Sequence, residues 1–416
     1  MDVEHFLPFR PSTVIDLCAR ELPEGDAASF REFARLLAAS IHHGYHERGD
    51  AILDAYQVID PAEDVRVLGA ATARDRAAAR ATVERELVAL AEAADFTRIE
   101  TEEIRRAFAE DSLVKVRLQL DDRDVETALF FRRGVTRRSQ VVKQFFGLRK
   151  RTVEFTNYAK VLVYVAFTER PDSPADGRGG GVLLKLFQNV PRNDLEMLYP
   201  RVRVGMRPLD KLLIGVPAVV SGIVVLVTKL IGSLGLLVLL LAFWIGLREE
   251  PVELDQTALV TLGAGAFAFG GYLFRQLSKF KNRRMELLKT LSEHLYFRNL
   301  DNDSGVFHHL LDAAEEAEVK ETLLAYHFLR IARGPLTAEE LDRRVERWFG
   351  QRWATTFDFE VGGGVRKLRE LGLVEQDGGA LRAVALDEAR ARLDRHWDGL
   401  FTGPLDTTTD LTTAPK

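Results

Sequence analysis

The chain has 416 residues, and its 57 Lys and Arg against 62 Asp and Glu give a formal net charge of −5. This balance argues against a protein devoted to nucleic acid, which is usually basic overall. A single cysteine, Cys18, excludes an intramolecular disulfide and a cysteine-rich zinc site. The charged fraction of 29% and the hydrophobic fraction of 46% are those of a folded protein rather than a disordered one.

Residues 1–111 are predicted to form a helical N-terminal region. Ser29 and Glu32 make a capping-box pattern, and Phe33, Leu37 and Ile41 follow at helical spacing. An alanine- and charge-rich helix pair is expected from about residue 71 to 110.

Residues 112–205 are predicted to form a small basic domain rich in β-strands. Stretches of Val, Leu, Phe and Tyr are bounded by turn residues, which indicates four or five mostly antiparallel strands. Between Arg132 and Lys160 there are nine Lys or Arg and a single acidic residue, Glu154. Such a patch could contact anionic lipid, and a solvated sheet edge kept soluble by its charge is the alternative. The lipid-contact candidates are Arg132, Arg133, Arg137, Arg138, Lys143, Phe145, Phe146, Arg149, Lys150 and Arg151.

Two apolar runs in residues 206–276 predict a transmembrane hairpin. The run Leu212–Leu247 holds one ionisable residue, Lys229, and the run Thr257–Phe274 holds none. We expect spans at about 223–246 and 257–274, because a span needs about 20 apolar residues. Both outer flanks are basic, which predicts an even number of spans with both termini cytoplasmic. Since the chain shows no obvious transit peptide, we expect a multi-pass protein of a bacterial plasma membrane. Three spans, with a turn near Lys229, are the main alternative.

Within this hairpin Lys229 would lie near the inner interface as an anchor that reaches the headgroups. Gly263, Ala266, Gly270 and Gly271 recur at spacings of three and four residues, which allows close helix packing. Packing inside the hairpin would explain these small residues, and a homo-oligomer is the alternative.

Three segments follow the predicted hairpin: a helical connector at 277–333, a winged-helix-like domain at 334–400 and a disordered tail at 401–416. The connector has Phe307, Leu310 and Leu323 among its apolar positions, which predicts a helix.

The winged-helix pattern consists of two helices, the first capped by Thr337 and Glu340, and two short strands joined by a turn at Asp377–Gly379. Arg366, Lys367 and Arg369 cluster on the second helix. The domain as a whole has 11 basic and 13 acidic residues, which favours contact with a protein over contact with DNA.

Two small clusters could bind a metal ion. His42 and His46 lie one helical turn apart, and Asp301 and Asp303 precede His308. Surface histidines and a helix cap explain the same residues without a metal. The sequence contains no recognisable catalytic motif, and we predict neither catalytic residues nor a cofactor.

Several stretches of the chain resemble the transmembrane protein 143 family and its bacterial and plant relatives. They are LLKLFQNVPRNDLEMLYP (Leu183–Pro200), GGYLFRQ (Gly270–Gln276) and the long stretch Leu295–Leu329, with FLPF, LFFRRG and KLRELGLV elsewhere. The resemblance implies an integral membrane protein with a domain of unknown function, and it supplies no activity or catalytic residue.

Together these patterns predict an α+β membrane protein, with a helical N-terminal region, a β-rich domain, a two-span hairpin and a winged-helix-like C-terminal domain. The predicted function is a non-enzymatic, membrane-anchored adaptor or scaffold that contacts membrane lipids and a protein partner. The alternative is a membrane-associated enzyme or metal-binding protein that uses His42 and His46, or Asp301, Asp303 and His308.

Overall fold

A computed structural model gives the fold. It describes residues 5–60, 69, 71–100, 117–119, 125–144, 149–168, 181–198, 203–205, 231–247, 297–353 and 358–400, and scattered positions between 256 and 289. The chain is a mixed helix and sheet protein, as its pattern predicts. It divides into two compact units, of which the first comprises Met1–Thr101, Asp124–Arg192 and Asn299–Lys416. The second comprises Glu102–Arg123 and Asn193–Arg298.

The helices of the first unit come from both ends of the chain. They are α1 (Pro11–Arg20), α2 (Glu24–Ile59), α3 (Ala73–Ala93), α5 (Ser304–Arg330), α6 (Ala338–Trp353), α7 (Val361–Glu370) and α8 (Leu386–Gly399), with α4 belonging to the second unit. Helix α2 begins earlier than the capping pattern predicts, so that Ser29 lies within its second turn.

Five strands of the first unit form one antiparallel sheet in the order β1-β3-β4-β5-β7. They are β1 (Thr97–Arg98), β3 (Val125–Gln144), β4 (Arg149–Phe167), β5 (Val182–Pro191) and β7 (Asn299–Asn302). The centre of the sheet is apolar on both faces, since Val161 to Ala166 of β4 are all inaccessible to solvent. The sheet is therefore covered on both sides along β4.

Helix α5 is the centre of the first unit. It packs against α1, α2, α3, α6 and α7, and its residues Leu323 to Phe328 are all buried. A helix that is buried nearly all round has no solvent face to balance its apolar one. Ionisable groups on the buried part of α5 are therefore largely removed from water.

The C-terminal part of the first unit comprises α6, α7, a β-hairpin of β8 (Val374–Asp377) and β9 (Ala380–Ala383), and α8. Thr337 and Glu340 form the reciprocal cap at the start of α6 that the sequence predicts. The glycines at 362–364 belong to the first turn of α7, where a Cβ on Gly364 would lie 2.7 Å from the Glu321 carbonyl oxygen. They allow α7 to approach the backbone of α5.

The second unit contains a two-stranded sheet and the apolar helix α4, with further helical positions between 256 and 289. Strands β2 (Arg117–Gln119) and β6 (Arg203–Gly205) pair antiparallel. A 3-10 helix, Arg192–Leu198, begins in the first unit and continues into the second, where the buried Asp194 carboxylate accepts a 2.9 Å bond from Arg298. The apolar helix α4 spans Ile231–Trp244.

The structure contradicts the predicted transmembrane hairpin. None of the helices within the described residues combines the length and the apolar character that crossing a bilayer requires. Helix α4 has 14 residues and is about 21 Å long, against the roughly 30 Å of a hydrocarbon core. It ends where the Gly246 and Leu247 amides bond back to Phe243 and Ala242, the pattern of a helix C-terminus.

The prediction of spans at 223–246 and 257–274 is therefore wrong. The prediction of a multi-pass protein of a bacterial plasma membrane, which depends on these spans, is wrong as well. An apolar run is necessary for a span, but it does not fix where a helix starts and stops. Lys229, much of the second run and the tail at 401–416 lie outside the described residues.

Candidate functional site

The β3–β4 hairpin continues well beyond the rest of the sheet. The two strands pair without interruption from Arg132 and Val161 to Gln144 and Arg149. On one side β1 pairs only with Phe131 and Arg132, and on the other the pairing of β5 with β4 ends at Asn157. Within the described chain, residues 135–144 and 149–156 thus form a two-stranded extension, which we call the β arm.

The β arm carries most of the predicted lipid-contact residues. Six of its residues are Lys or Arg, and Glu154 is its one acidic residue. The pairing sets Lys143 directly opposite Lys150 at the far end of the arm. Like charges at directly opposed positions of an antiparallel pair destabilise it, so this end of the arm suits an anionic partner.

Because side chains alternate between the faces of a strand, the cations of the arm occupy both faces. Arg137, Lys143 and Lys150 share one face, while Arg138, Arg149 and Arg151 share the other. The side chains of residues 140–153 lie outside the described residues, and so do residues 145–148 altogether, which include Phe145 and Phe146. A basic end with charge on both faces favours an approach by the tip of the arm rather than by one face.

The predicted patch includes residues that have a structural role at the base of the arm. The Arg133 guanidinium lies 4.5 Å from the Phe6 ring centroid and 4.9 Å from that of Phe96, and it donates a 2.8 Å hydrogen bond to the Ala94 carbonyl. Arg132 lies over the Tyr158 ring at 5.4 Å. These two arginines are partly buried and fasten the hairpin to the helical body.

Further along, the cations face solvent. Arg137 and Arg138 are exposed, and Arg138 donates a 3.2 Å hydrogen bond to the Asn189 side chain. Gly134 marks the point where the arm leaves the sheet, with a φ of +75° that favours glycine. A Cβ at this position would lie 2.6 Å from the Ala159 Cβ on the opposite strand.

The two histidines predicted to bind a metal point to separate carboxylates. His42 Nδ1 lies 2.9 Å from Glu315 of α5, whereas His46 Nε2 lies 3.7 Å from Asp50 of its own helix. Both side chains are largely exposed. Each imidazole thus has its own partner, and the two do not belong to a three-ligand group among the described residues.

The second predicted cluster is also divided. Asp301 contacts His309 at 3.0 Å, while His308, the preceding residue of the helix, is exposed. Asp303 accepts a 3.4 Å hydrogen bond from the Tyr56 hydroxyl. Asp303 stands at the N-cap of α5, but its side chain makes no capping hydrogen bond. Adjacent helical residues point about 100° apart, which explains why only one histidine reaches Asp301.

A group that the sequence does not single out has a metal-compatible spacing: Asp342, Glu346 and Asp358. Glu346 already accepts a 3.2 Å hydrogen bond from the Phe359 amide. Burial and the two neighbouring carboxylates raise the pKa of Asp342 to about 6. Exposed acidic groups often gather without an ion, and these residues fasten α6 to the segment before α7.

A cleft of about 800 Å³ opens among α2, α3, α5 and α7. Its charged groups largely pair with one another, since the Lys367 amine lies 3.2 Å from Glu318 and 2.9 Å from Glu370. The Tyr45 hydroxyl also bonds to Glu318, and burial raises the pKa of Tyr45. Lys367, which the sequence groups with Arg366 and Arg369 as a basic cluster, thus belongs to an internal network.

One carboxyl group of the cleft is held neutral. Burial first, and then Asp95, Glu360 and Glu318, raise the pKa of Glu321 to about 9. A protonated carboxyl can donate a hydrogen bond as well as accept one. The Lys367 ion pair and the Tyr45 hydrogen bond, which both go to Glu318 of α5, join α7 and α2 through α5.

The predicted small-residue stripe has no close packing partner among the described residues. A Cβ added to Gly263, Gly270 or Gly271 would meet no described atom within 4 Å. Ala266 lies outside the described residues. Gly263, Gly270 and Gly271 have helical backbone.

Sequence reasoning did not identify Lys160, Lys320 and Glu321 as site residues. The sequence gives no distinct signal for the two α5 residues, because α5 also carries Asp312, Glu315, Glu316 and Glu318. Lys160 becomes notable only through its strand register, which sets it opposite Arg133.

Comparison with known proteins adds one match. Residues 158–305, about a third of the chain, match the model of a protein family of unknown function, DUF3754. The match starts at Tyr158 in strand β4 and ends at Gly305, in the first turn of helix α5. No solved structure matches the chain.

Proposed function

We propose that this protein is a non-enzymatic adaptor that attaches to an anionic lipid surface through the tip of its β arm. The observation that carries the proposal is the register of β3 and β4, which gathers six cations on a two-stranded extension and sets Lys143 against Lys150. Basic residues beside an anionic lipid surface contribute about 1 kcal/mol each.

The apolar residues between the two strands support a lipid partner over a purely polar one. Phe145, Phe146 and Leu148 lie between Lys143 and Arg149 in the sequence. Aromatic and aliphatic side chains add binding energy by insertion at the headgroup level, alongside the electrostatic attraction of the flanking cations. An isolated two-stranded hairpin is only marginally stable in water, which also favours an arm that works in contact with a surface.

The protein-binding half of the adaptor proposal rests on the C-terminal hairpin. Glu375, Gln376 and Asp377 of β8 are exposed, and the strand presents them away from the core. An acidic, exposed turn of this kind suits a basic protein surface. Helices α6 and α7 position the turn, and their buried residues anchor it to α5.

Sedimentation of the full chain with lipid vesicles tests the lipid contact. We expect binding to vesicles of phosphatidylcholine with phosphatidylserine, little binding to phosphatidylcholine alone, and weakening by salt. Replacing Lys143, Arg149, Lys150 and Arg151 together by Gln removes about 4 kcal/mol, which reduces the affinity by roughly 1,000-fold.

A matched control removes four exposed charges elsewhere on the first unit: Arg20, Arg74, Arg366 and Arg382, each changed to Gln. This control variant should bind anionic vesicles as the wild type does. Equal binding to neutral and anionic vesicles, or equal losses in both quadruple variants, would refute the attachment through the arm.

We also infer a finer relationship than the family match, namely to the transmembrane protein 143 family. Its support is the stretch Leu183–Pro200, which covers nearly all of β5 and the 3-10 helix after it, and the stretch Leu295–Leu329, which covers β7 and most of α5. A structure of a member of that family tests the inference. The same long β3–β4 arm and central α5 would support it, and a different fold would refute it.

A further inference from the structure

A second basic feature lies at the base of the β arm, on the side of the helical body. A pocket of about 380 Å³ is lined by Phe6, Arg10, Arg133, Lys160, Glu316 and Lys320, among others. Its four cations come from four different segments: the N-terminal segment, β3, β4 and α5. Residues so far apart in sequence converge here because β4 and α5 lie in one compact unit.

Two of the cations are set directly against each other. Arg133 and Lys160 are opposed partners in the β3–β4 register, and both are partly buried. Opposed like charges destabilise an antiparallel pair, and partial burial reduces the screening by water. Burial, and then Arg133, lower the pKa of Lys160, while Glu316 opposes this shift.

The other charged groups of the pocket have partners. Arg10 forms a 2.6 Å ion pair with Glu316, and the Lys320 amine donates a 3.1 Å hydrogen bond to the Leu7 carbonyl. In contrast, the Lys160 amine makes no hydrogen bond or ion pair within the described part of the chain. The pocket therefore has one partly buried cation for which the described protein atoms supply no acceptor.

The wall of the pocket is partly apolar. The Phe6 ring has the Arg133 guanidinium 4.5 Å from its centroid and the Lys320 amine 5.1 Å from it. The Asp95 carboxyl interacts electrostatically with the same two cations, Arg133 and Lys320, and burial raises the pKa of Asp95. The four cations thus outnumber the three acidic groups that act on them, Glu316, Asp95 and Glu321, and the excess charge is positive.

We propose that this basal pocket binds a phosphate-bearing small molecule whose phosphate group bridges Arg133 and Lys160. A phosphate group carries up to two negative charges on several acceptor oxygens, so it can neutralise an opposed arginine and lysine together. The volume exceeds that of a bare phosphate, and the Phe6 ring offers an apolar surface to the rest of the ligand. The site is separate from the tip of the arm and does not depend on the adaptor proposal.

Titration of the full chain with inorganic pyrophosphate, followed by thermal unfolding and by calorimetry, tests the pocket. We expect saturable binding and a rise in the unfolding temperature, because a ligand of the folded state stabilises it. Lys160→Met should bind pyrophosphate at least tenfold more weakly, since it removes one charge-assisted contact. Without ligand this variant should be as stable as the wild type or more so, because it relieves the repulsion with Arg133.

Lys185→Met is the matched control. Lys185 is a partly buried lysine of β5 in the same sheet, but strand alternation places it on the opposite face from Lys160. It should bind pyrophosphate as the wild type does, and so should the quadruple Gln variant of the arm. No saturable binding by the wild type, or equal binding by Lys160→Met, would overturn the proposal.

The source of the phosphate is resolved by two further probes: soluble inositol trisphosphate, and vesicles that display phosphatidylinositol bisphosphate. If Lys160→Met loses binding of inositol trisphosphate but still binds the vesicles, the result supports a free organic phosphate as the ligand. If Lys160→Met, whose arm is intact, loses binding of the vesicles as well, the result supports a lipid headgroup as the ligand. Unchanged binding of both probes by Lys160→Met would contradict the pocket.

Discussion

Replacing Glu321 by Gln should stabilise the protein at neutral and alkaline pH. Burial raises the pKa of this carboxyl to about 9 from an unfolded value of 4.5. A raised carboxyl pKa means that the folded state binds more protons than the unfolded state, so stability falls as the pH rises from 4.5 to about 9. The amide has nearly the same shape and no proton to lose.

The size of the effect follows from the shift. At pH 7 the carboxyl is ionised in the unfolded state and protonated in the folded state. This pH lies about 2.5 units above the unfolded pKa of 4.5. At about 1.4 kcal/mol per unit, keeping Glu321 protonated lowers the free energy of unfolding of the wild type at pH 7 by roughly 3 kcal/mol. This figure is an upper bound because Glu321 keeps some contact with solvent. Urea unfolding of both proteins at pH 5, 7 and 8.5 measures it.

Glu318→Gln is the matched control, one helical turn away on α5. Its carboxylate pairs with Lys367 at 3.2 Å and accepts from Tyr45, so the amide should lower the free energy of unfolding. The reasoning would be refuted if Glu321→Gln were less stable than the wild type at pH 8.5, or if it kept the wild-type pH dependence.

Three further predictions concern the first unit. Burial lowers the pKa of His327 to about 4, so the stability that the neutral ring contributes above pH 6.5 is lost as the pH falls toward 4. His327→Gln should flatten the change in unfolding temperature between pH 7 and 5, and an unchanged slope would exclude this origin. Gly134→Ala should lower the free energy of unfolding in urea by about 1–2 kcal/mol, because of the positive φ and the close contact of a Cβ with Ala159. An unchanged free energy of unfolding would show that the backbone at the base of the arm adjusts to the added Cβ. Thr337→Ala should cost about 1 kcal/mol by removing the cap with Glu340, whereas substitution of exposed Thr97 serves as a control with little effect.

Local patterns predicted parts of the fold well. The Thr337–Glu340 cap forms as expected, and Phe307, Leu310 and Leu323 of α5 are buried as their spacing indicates. Such features depend on residues three or four positions apart, which the sequence shows directly. The predicted span at 223–246 ends close to the end of α4, but the described helix begins only at Ile231. Hydropathy alone does not show where a helix begins.

The candidate sites depended on contacts that sequence spacing does not contain. The sequence marks the basic stretch, but only the strand register shows that Lys143 faces Lys150 and that Arg133 faces Lys160. Likewise, the pKa of Glu321 is raised first by burial and then by Asp95 and Glu360, which approach it from distant parts of the chain. Burial and pairing of this kind arise from tertiary packing.

Hydrogen exchange of the full chain, with and without phosphatidylserine vesicles, tests the central claim most directly. The free arm should exchange quickly, because its amides lie in a two-stranded extension with few neighbours. The lipid-attachment account predicts slowed exchange confined to residues 135–156 when anionic vesicles are present. Unchanged exchange in the arm, or protection of the helical body instead, would contradict it.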